Sequence, residues 1–186
     1  MGEVANSYFH DIFTADPTLN AEPILDLTNS VVTEEDNTKL CAPFTDKEIS
    51  DALFQIGPLK ALGPDGFPAR FFQWNWSTLK EGVLAAARDF FSTGVMPEGA
   101  NDTSIVLIPK TSNPSRMSDY RPISLCNVVY KVISKMIAAR LKTILSDIIS
   151  PTQSAFVPGR LITDNVFVAY ECVHAIRSMN RKKIQC

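Results

Sequence analysis

The segments that decide the fold are IVLIPK (105–110) and YRPISL (120–125), two apolar runs of strand length. The nine residues between them, TSNPSRMSD, are rich in turn formers, so the pattern predicts one antiparallel β-hairpin over about 104–125. Lys110 ends the first strand and Arg121 lies near the start of the second. A lysine point charge and an arginine fork can together hold a triphosphate, although two solvated cations on an edge hairpin would give the same pattern.

The rest of the chain is predicted to be mostly helical, which makes the fold class α+β. Apolar residues recur at spacings of three and four, and Thr45 and Glu48 form a capping box at one helix start. The GPDG turn (63–66) is predicted to be a tight structural bend, which we call the elbow. It lacks the glycine spacing and the trailing Lys-Ser/Thr of a phosphate-binding loop. Helices are predicted over about 2–15, 45–56, 77–92 and 127–149, and from about 163 onward.

The net charge of −2 conceals an uneven distribution of charged residues. Residues 1–109 carry six Lys and Arg against sixteen Asp and Glu, whereas residues 110–186 carry twelve against four. In the longest predicted helix, Lys131, Lys135 and Lys142 fall within about 40° of one another, opposite the apolar stripe. The asymmetry indicates a surface that faces a polyanion such as nucleic acid, or two surfaces of opposite sign that attract each other. A stripe of three lysines by itself is usually a solvated face, but its place beside the hairpin in the basic half makes contact with a nucleic-acid backbone a reasonable alternative.

Cysteine and histidine usage argues against a metal site. The four cysteines and two histidines form no CxxC or Cys/His cluster. Neither a signal peptide nor an apolar stretch near the roughly 20 residues of a membrane span is visible. We therefore expect reduced thiols, no membrane association, and a location in the nucleus or cytoplasm with no visible targeting signal.

Four motifs, taken in order, resemble a known family. They are GPDGFP (63–68), NDTSIVLIPK (101–110), DYRPISLCNVVYKVISKMIAARLK (119–142) and QSAFVPGRLITDN (153–165). Together they resemble the reverse transcriptase of non-LTR (LINE-type) retrotransposons, particularly plant ones. The resemblance covers most of the chain from about Phe44 onward.

The resemblance implies the fingers and the start of the palm of a right-hand polymerase. On this reading residues 1–44 are a loosely ordered acidic N-terminal extension, 45–100 a helical extension with the GPDG turn, and 101–186 the fingers and an incomplete palm. In the family, the lysine of LIPK and the arginine of YRPISL reach the triphosphate of the incoming nucleotide. The residues expected to bind nucleotide are Lys110 and Arg121, and those expected to contact template or primer are Lys131, Lys135, Lys142, Gln153 and Arg160.

The family also needs carboxylates that this sequence lacks. Two metal ions bridged by palm aspartates activate the primer hydroxyl, and the first aspartate belongs on a strand starting near Ile184, the second in a Tyr-x-Asp-Asp turn beyond it. We therefore expect a chain truncated before the catalytic aspartates, with no catalytic residue and no cofactor of its own, although the full-length enzyme would use Mg²⁺. Its expected partners are RNA template and primer, a deoxynucleoside triphosphate, and the missing palm and thumb.

Three functions remain open on the sequence. The chain is a reverse transcriptase fragment that is inactive alone, a non-enzymatic RNA-binding module, or a structural remnant without a ligand. Salt-dependent RNA binding would separate the second function from the third.

Overall fold

A computed structural model describes residues 2–15, 22–25, 27 and 29–183 of the chain. It confirms the α+β class, with mostly helical structure and one two-stranded antiparallel sheet in the described part. The chain divides into two compact units, Met1–Ser30 with Pro43–Met136 and Val31–Ala42 with Ile137–Cys186. The elements are α1 (Gly2–Phe13), α2 (Glu22–Leu25), α3 (Glu34–Cys41), α4 (Asp46–Phe54), α5 (Ala69–Trp74), α6 (Trp76–Thr93), β1 (Thr103–Pro109), a 3₁₀ turn (Met117–Asp119), β2 (Tyr120–Cys126), α7 (Val128–Leu141), α8 (Leu145–Ile148) and α9 (Ile162–Lys183).

The predicted hairpin is confirmed. β1 and β2 pair antiparallel, from Thr103 opposite Cys126 at one end to Pro109 opposite Tyr120 at the other. In β1, Thr103, Ile105, Val106 and Ile108 are β-branched, which suits a pleated surface.

The core of the first unit is formed by the apolar faces of α4, α6 and α7. Thr45 caps α4 as predicted, since its hydroxyl oxygen accepts the Glu48 N–H while the Glu48 carboxylate accepts the Thr45 N–H. Gly94 ends α6 in the left-handed conformation, as a C-terminal glycine commonly does. The largest fully buried side chains are Ile49, Leu53, Leu84, Val128, Val132, Ile133 and Met136.

The GPDG turn is tied to the junction between β2 and α7. Asn127 is almost completely buried; its side-chain oxygen accepts the Asp65 N–H at 3.2 Å and its amide nitrogen donates to the Gly99 carbonyl at 2.8 Å. Gly63 packs so closely here that an added Cβ would lie 2.1 Å from the Asn127 side-chain oxygen and 2.6 Å from the Cys126 carbonyl carbon. These contacts support the prediction of a structural elbow.

The prediction of one helix over 127–149 is wrong at its second half. α7 ends at Leu141, and α8 starts only at Leu145. Between them the Thr143 and Ile144 N–H groups donate to carbonyls three residues back, and the Thr143 hydroxyl also donates to the Arg140 carbonyl at 2.7 Å. A threonine hydroxyl that binds a helical carbonyl competes with the backbone ladder, which explains the break.

The second unit contains α3, α8 and α9. Thr33 and Asp36 form a capping box at the start of α3, and the Arg140 guanidinium donates to the Leu40 and Ala42 carbonyls just after its end. Helix α9 begins near the predicted position, and the Asp164 carboxylate accepts the Leu161 N–H at its start. The strand expected from Ile184 lies outside the described residues. In the described part, no helix combines the length and apolarity needed to cross a bilayer.

Candidate nucleotide and nucleic-acid site

The hairpin register places Lys110 and Arg121 on one face. Arg121 pairs directly with Ile108, and paired residues of an antiparallel ladder share a face. Lys110 follows Ile108 by two residues, and its N–H continues the ladder by donating to the Asp119 carbonyl at 2.7 Å. Arg121 is exposed, and its guanidinium has no hydrogen bond or ion pair among the described residues. The Lys110 ammonium donates to the Ser118 carbonyl at 2.7 Å, which leaves it further donors.

Asp119 organises the loop that joins these two cations. Its carboxylate accepts the Ser115 N–H at 3.0 Å and the Arg116 N–H at 2.9 Å, so it closes the turn on itself. These backbone donors, with smaller contributions from the charges of Arg116 and Lys110, hold the pKa of Asp119 below its ordinary value. An aspartate just before a strand at the end of a turn predicts such a turn role, and the structure shows Asp119 in that role.

Lys131 and Lys135 lie on α7 beside a concavity of about 360 Å³, which we call the lysine concavity. Both are half-buried, so they do not form the fully solvated face that a three-lysine stripe would give. The Lys131 ammonium donates to the Ala61 carbonyl at 2.6 Å and so fixes the segment before the elbow. Lys60 and the β2 residue Leu125 also line the concavity. Lys142 lies beyond the end of α7 in the second unit and is exposed.

Arg160 acts as a clamp within the second unit. Its guanidinium donates to the backbone carbonyls of Ser146, Ile149, Ser150 and Gln153 at 2.6 to 3.3 Å. The carbonyls at the end of α8 thereby find donors that the helix cannot supply. Gln153 is exposed in the same turn. Contacts of Gln153 and Arg160 with template or primer stay predictions.

The described residues do not fit the Mg²⁺ pair that the resemblance implies for the whole enzyme. Among them, no three His, Cys, Asp or Glu side chains gather into a group that could hold a metal ion.

Comparison with known proteins gives matches over much of the chain. Residues 108–185 match the family model described as reverse transcriptase (RNA-dependent DNA polymerase). The chain is 34% identical over 175 residues to the Transposon TX1 uncharacterized 149 kDa protein of Xenopus laevis, which covers 93% of this chain and 13% of that protein. It is 28% identical over 129 residues to the retrovirus-related Pol polyprotein from type-1 retrotransposable element R1 of Bradysia coprophila, which covers 68% of this chain and 12% of that protein.

The match over residues 108–185 and the two relatives, both named as proteins of transposable elements, support a fragment of a reverse transcriptase. The chain spans only 13% and 12% of the two relatives. Within the family, these relatives confirm the resemblance to the non-LTR (LINE-type) retrotransposons. The narrower expectation of a plant-like member stays a prediction.

Proposed function

We propose that this chain supplies the incoming-nucleotide and template-binding parts of an RNA-directed DNA polymerase, with the hairpin in its fingers. The observation that carries the proposal is the register of the hairpin, which brings Lys110 and Arg121 to one face. Lys110 would act as a point charge and Arg121 as a bidentate fork on the phosphates of a deoxynucleoside triphosphate. The turn held by Asp119 keeps the two arms at a fixed separation.

The template part of the proposal rests on the lysine concavity. Lys131 and Lys135 are held half-buried by α7, so their charges are less screened than those of fully exposed lysines. Contacts between lysines and phosphates position a strand without reading its bases. We therefore expect binding of single-stranded RNA with little sequence preference and with a steep dependence on salt.

A nucleotide titration tests the hairpin. Arg121→Ala should weaken the binding of a fluorescent deoxynucleoside triphosphate by about 10- to 150-fold, the range expected when a charged hydrogen-bonding partner is removed. Lys110→Ala should act in the same direction. Arg116→Ala is the matched control, because Arg116 is an exposed cation in the connecting loop and should leave the affinity within about twofold. Equal losses from Arg116→Ala and Arg121→Ala would refute a built triphosphate site.

An RNA titration tests the lysine concavity separately. For Lys131→Glu with Lys135→Glu, the slope of log affinity against log salt should flatten by about 1.4, or about 0.7 for each phosphate that the protein no longer neutralises. The nucleotide affinity should change much less. Salt-independent RNA binding by the unchanged chain would overturn the template part and leave the nucleotide part standing.

We also expect the chain alone to show no primer extension with template, primer, deoxynucleotides and Mg²⁺. Lys110 and Arg121 can bind phosphate but cannot activate a primer hydroxyl. Extension above a control without protein would refute this.

A further inference from the structure

Trp74 is an exposed aromatic residue that neither the core nor the proposed function uses. It ends α5, and 71% of its surface is accessible. Trp76, two residues further on, is half-buried and packs edge-on against Phe54 with ring centroids 5.8 Å apart. The Arg70 guanidinium lies over the Trp74 ring at 3.8 Å from the centroid, a cation–π stack. Trp76 therefore contributes to packing, whereas Trp74 is held at the surface by the Arg70 guanidinium.

The support beneath Trp74 is rigid. The Gln73 side-chain amide donates to the Leu53 and Ile56 carbonyls at 3.0 and 2.9 Å, which caps the end of α4. The Arg70 N–H donates to the Pro58 carbonyl at 3.2 Å, which joins the start of α5 to the same turn. A site fixed in this way loses little conformational entropy when it binds a ligand.

Trp74 and Arg70 line a concavity of about 630 Å³, which we call the tryptophan concavity. This volume lies within the range of small-molecule sites in proteins. Lys60 and the exposed Leu59 also line it, and none of the described residues that line it is a carboxylate. The surface therefore combines one flat aromatic ring with positive charge.

Lys60 connects the tryptophan concavity to the lysine concavity, since Gly57 and Lys60 line both. Within the described part of the chain, the lysine concavity likewise has no carboxylate among its lining residues. Lys60 is positioned by its own turn, because its N–H donates to the Gly57 carbonyl at 3.0 Å and a Cβ added at Gly57 would lie 3.3 Å from the Lys60 Cγ. The two concavities of the first unit, which meet at Lys60, together carry four cations, Arg70, Lys60, Lys131 and Lys135.

We infer that Trp74 is a stacking platform for a base of single-stranded nucleic acid, and that the four cations hold the adjoining phosphates. Single-strand sites combine a positive groove with aromatic side chains on which bases stack. An acidic peptide would satisfy the cations but offers no regular series of flat rings for Trp74. The inference rests on the proposed function only in requiring that the chain meet a single strand, and it extends the template contact to α5.

Tryptophan fluorescence reports the contact directly. In Trp76→Phe, Trp74 is the one tryptophan left in the sequence, and the aromatic contact with Phe54 is retained. A 12-nucleotide single-stranded homopolymer should quench its emission in a saturable way, whereas an acidic peptide of equal charge should not. Saturable quenching by the peptide, with none by the oligonucleotide, would overturn the assignment.

The affinity for a labelled single-stranded 12-mer tests the stacking platform in the chain that keeps Trp76. Trp74→Ala should weaken binding by about 5- to 150-fold with an unaltered salt slope, since stacking releases no counterions. Trp74→Phe should retain most of the affinity. Leu59→Ala is the matched control: Leu59 is 80% exposed in the same concavity but has no aromatic face, and it should change affinity less than twofold.

Removing a cation should change the salt dependence of binding, which Trp74→Ala should leave unaltered. Lys60→Gln should flatten the salt slope by about 0.7. Equal losses from Leu59→Ala and Trp74→Ala, or an unchanged affinity for Trp74→Ala in a folded protein, would refute the platform. If the unchanged chain did not bind the 12-mer either, the template part of the proposed function would also be refuted. Failure of the Trp74 platform alone can therefore be distinguished from failure of template binding.

Discussion

Gly63→Ala should destabilise the first unit, and the size of the effect follows from three contacts. A Cβ at Gly63 would lie 2.1 Å from the Asn127 side-chain oxygen, 2.5 Å from the Asn127 backbone nitrogen and 2.6 Å from the Cys126 carbonyl carbon. The first contact can be relieved by rotating a side chain, but the other two involve backbone. The elbow must therefore move away from the β2–α7 junction and break the hydrogen bond between Asp65 and Asn127.

Overpacking a tight site costs about 1–3 kcal/mol, and breaking a hydrogen bond costs about 1 kcal/mol. Gly63→Ala should thus lower the free energy of unfolding by about 2–4 kcal/mol, a large share of the about 5–15 kcal/mol typical of a domain. Urea unfolding followed by circular dichroism measures the change by linear extrapolation.

Gly82→Ala is the matched control for this substitution. Gly82 lies on the exposed side of α6, and a Cβ there meets nothing within 4 Å. The control should raise stability by about 0.5–1 kcal/mol, because alanine is the better helix former. Two results would contradict a clash with backbone atoms. One is a loss of less than about 1 kcal/mol in the free energy of unfolding for Gly63→Ala. The other is recovery of the whole loss when Asn127→Ala is added.

Three further predictions follow from capping and turn contacts. The Asp119 carboxylate should stabilise its loop fully above the pKa of the unfolded state, near 4, and this stabilisation should disappear as pH falls through the lowered pKa of the folded state. The NMR shifts of the Ser115 and Arg116 amides should report the loss, and Asp119→Asn should abolish the titration. Arg160→Lys should loosen the turn after α8 and speed amide exchange there, since an ammonium cannot reach four carbonyls; unchanged exchange would contradict the clamp. Thr45→Ala should cost about 1 kcal/mol in urea unfolding, and Thr45→Ser should restore most of it.

Local signals in the sequence predicted much of the fold. The two apolar runs around 105–125 and the turn residues between them located the hairpin, and the spacing of Thr45 and Glu48 located the start of α4. Each signal lies within a few residues of the structure that it specifies. The break in the long predicted helix was missed, because the apolar periodicity continues through Thr143 while the competing hydroxyl bond gives no periodic signal.

Contacts between distant residues were less predictable. The role of Asn127 depends on partners 62 and 28 residues away, and no pattern in one sequence points to them. The template contacts of Lys131 and Lys135 stay predictions. Their half-burial had no local signal, and for Lys131 it depends on the segment before the elbow, whose Ala61 carbonyl accepts the Lys131 ammonium. The stack of Arg70 on Trp74 had a local signal, since a spacing of four residues brings side chains together on a helix.

The hydrogen bonds that join Asn127 to Asp65 and Gly99 affect the order in which the chain folds during synthesis. Asp65 leaves the ribosome 62 residues before its partner. At about 5–20 residues per second, that interval lasts about 3–12 s. α6 emerges within this interval, and α4 and α6 then still lack the α7 side chains that complete their core, such as Ile133 and Met136. The nascent chain should therefore be open to protease and to chaperones until translation has passed α7.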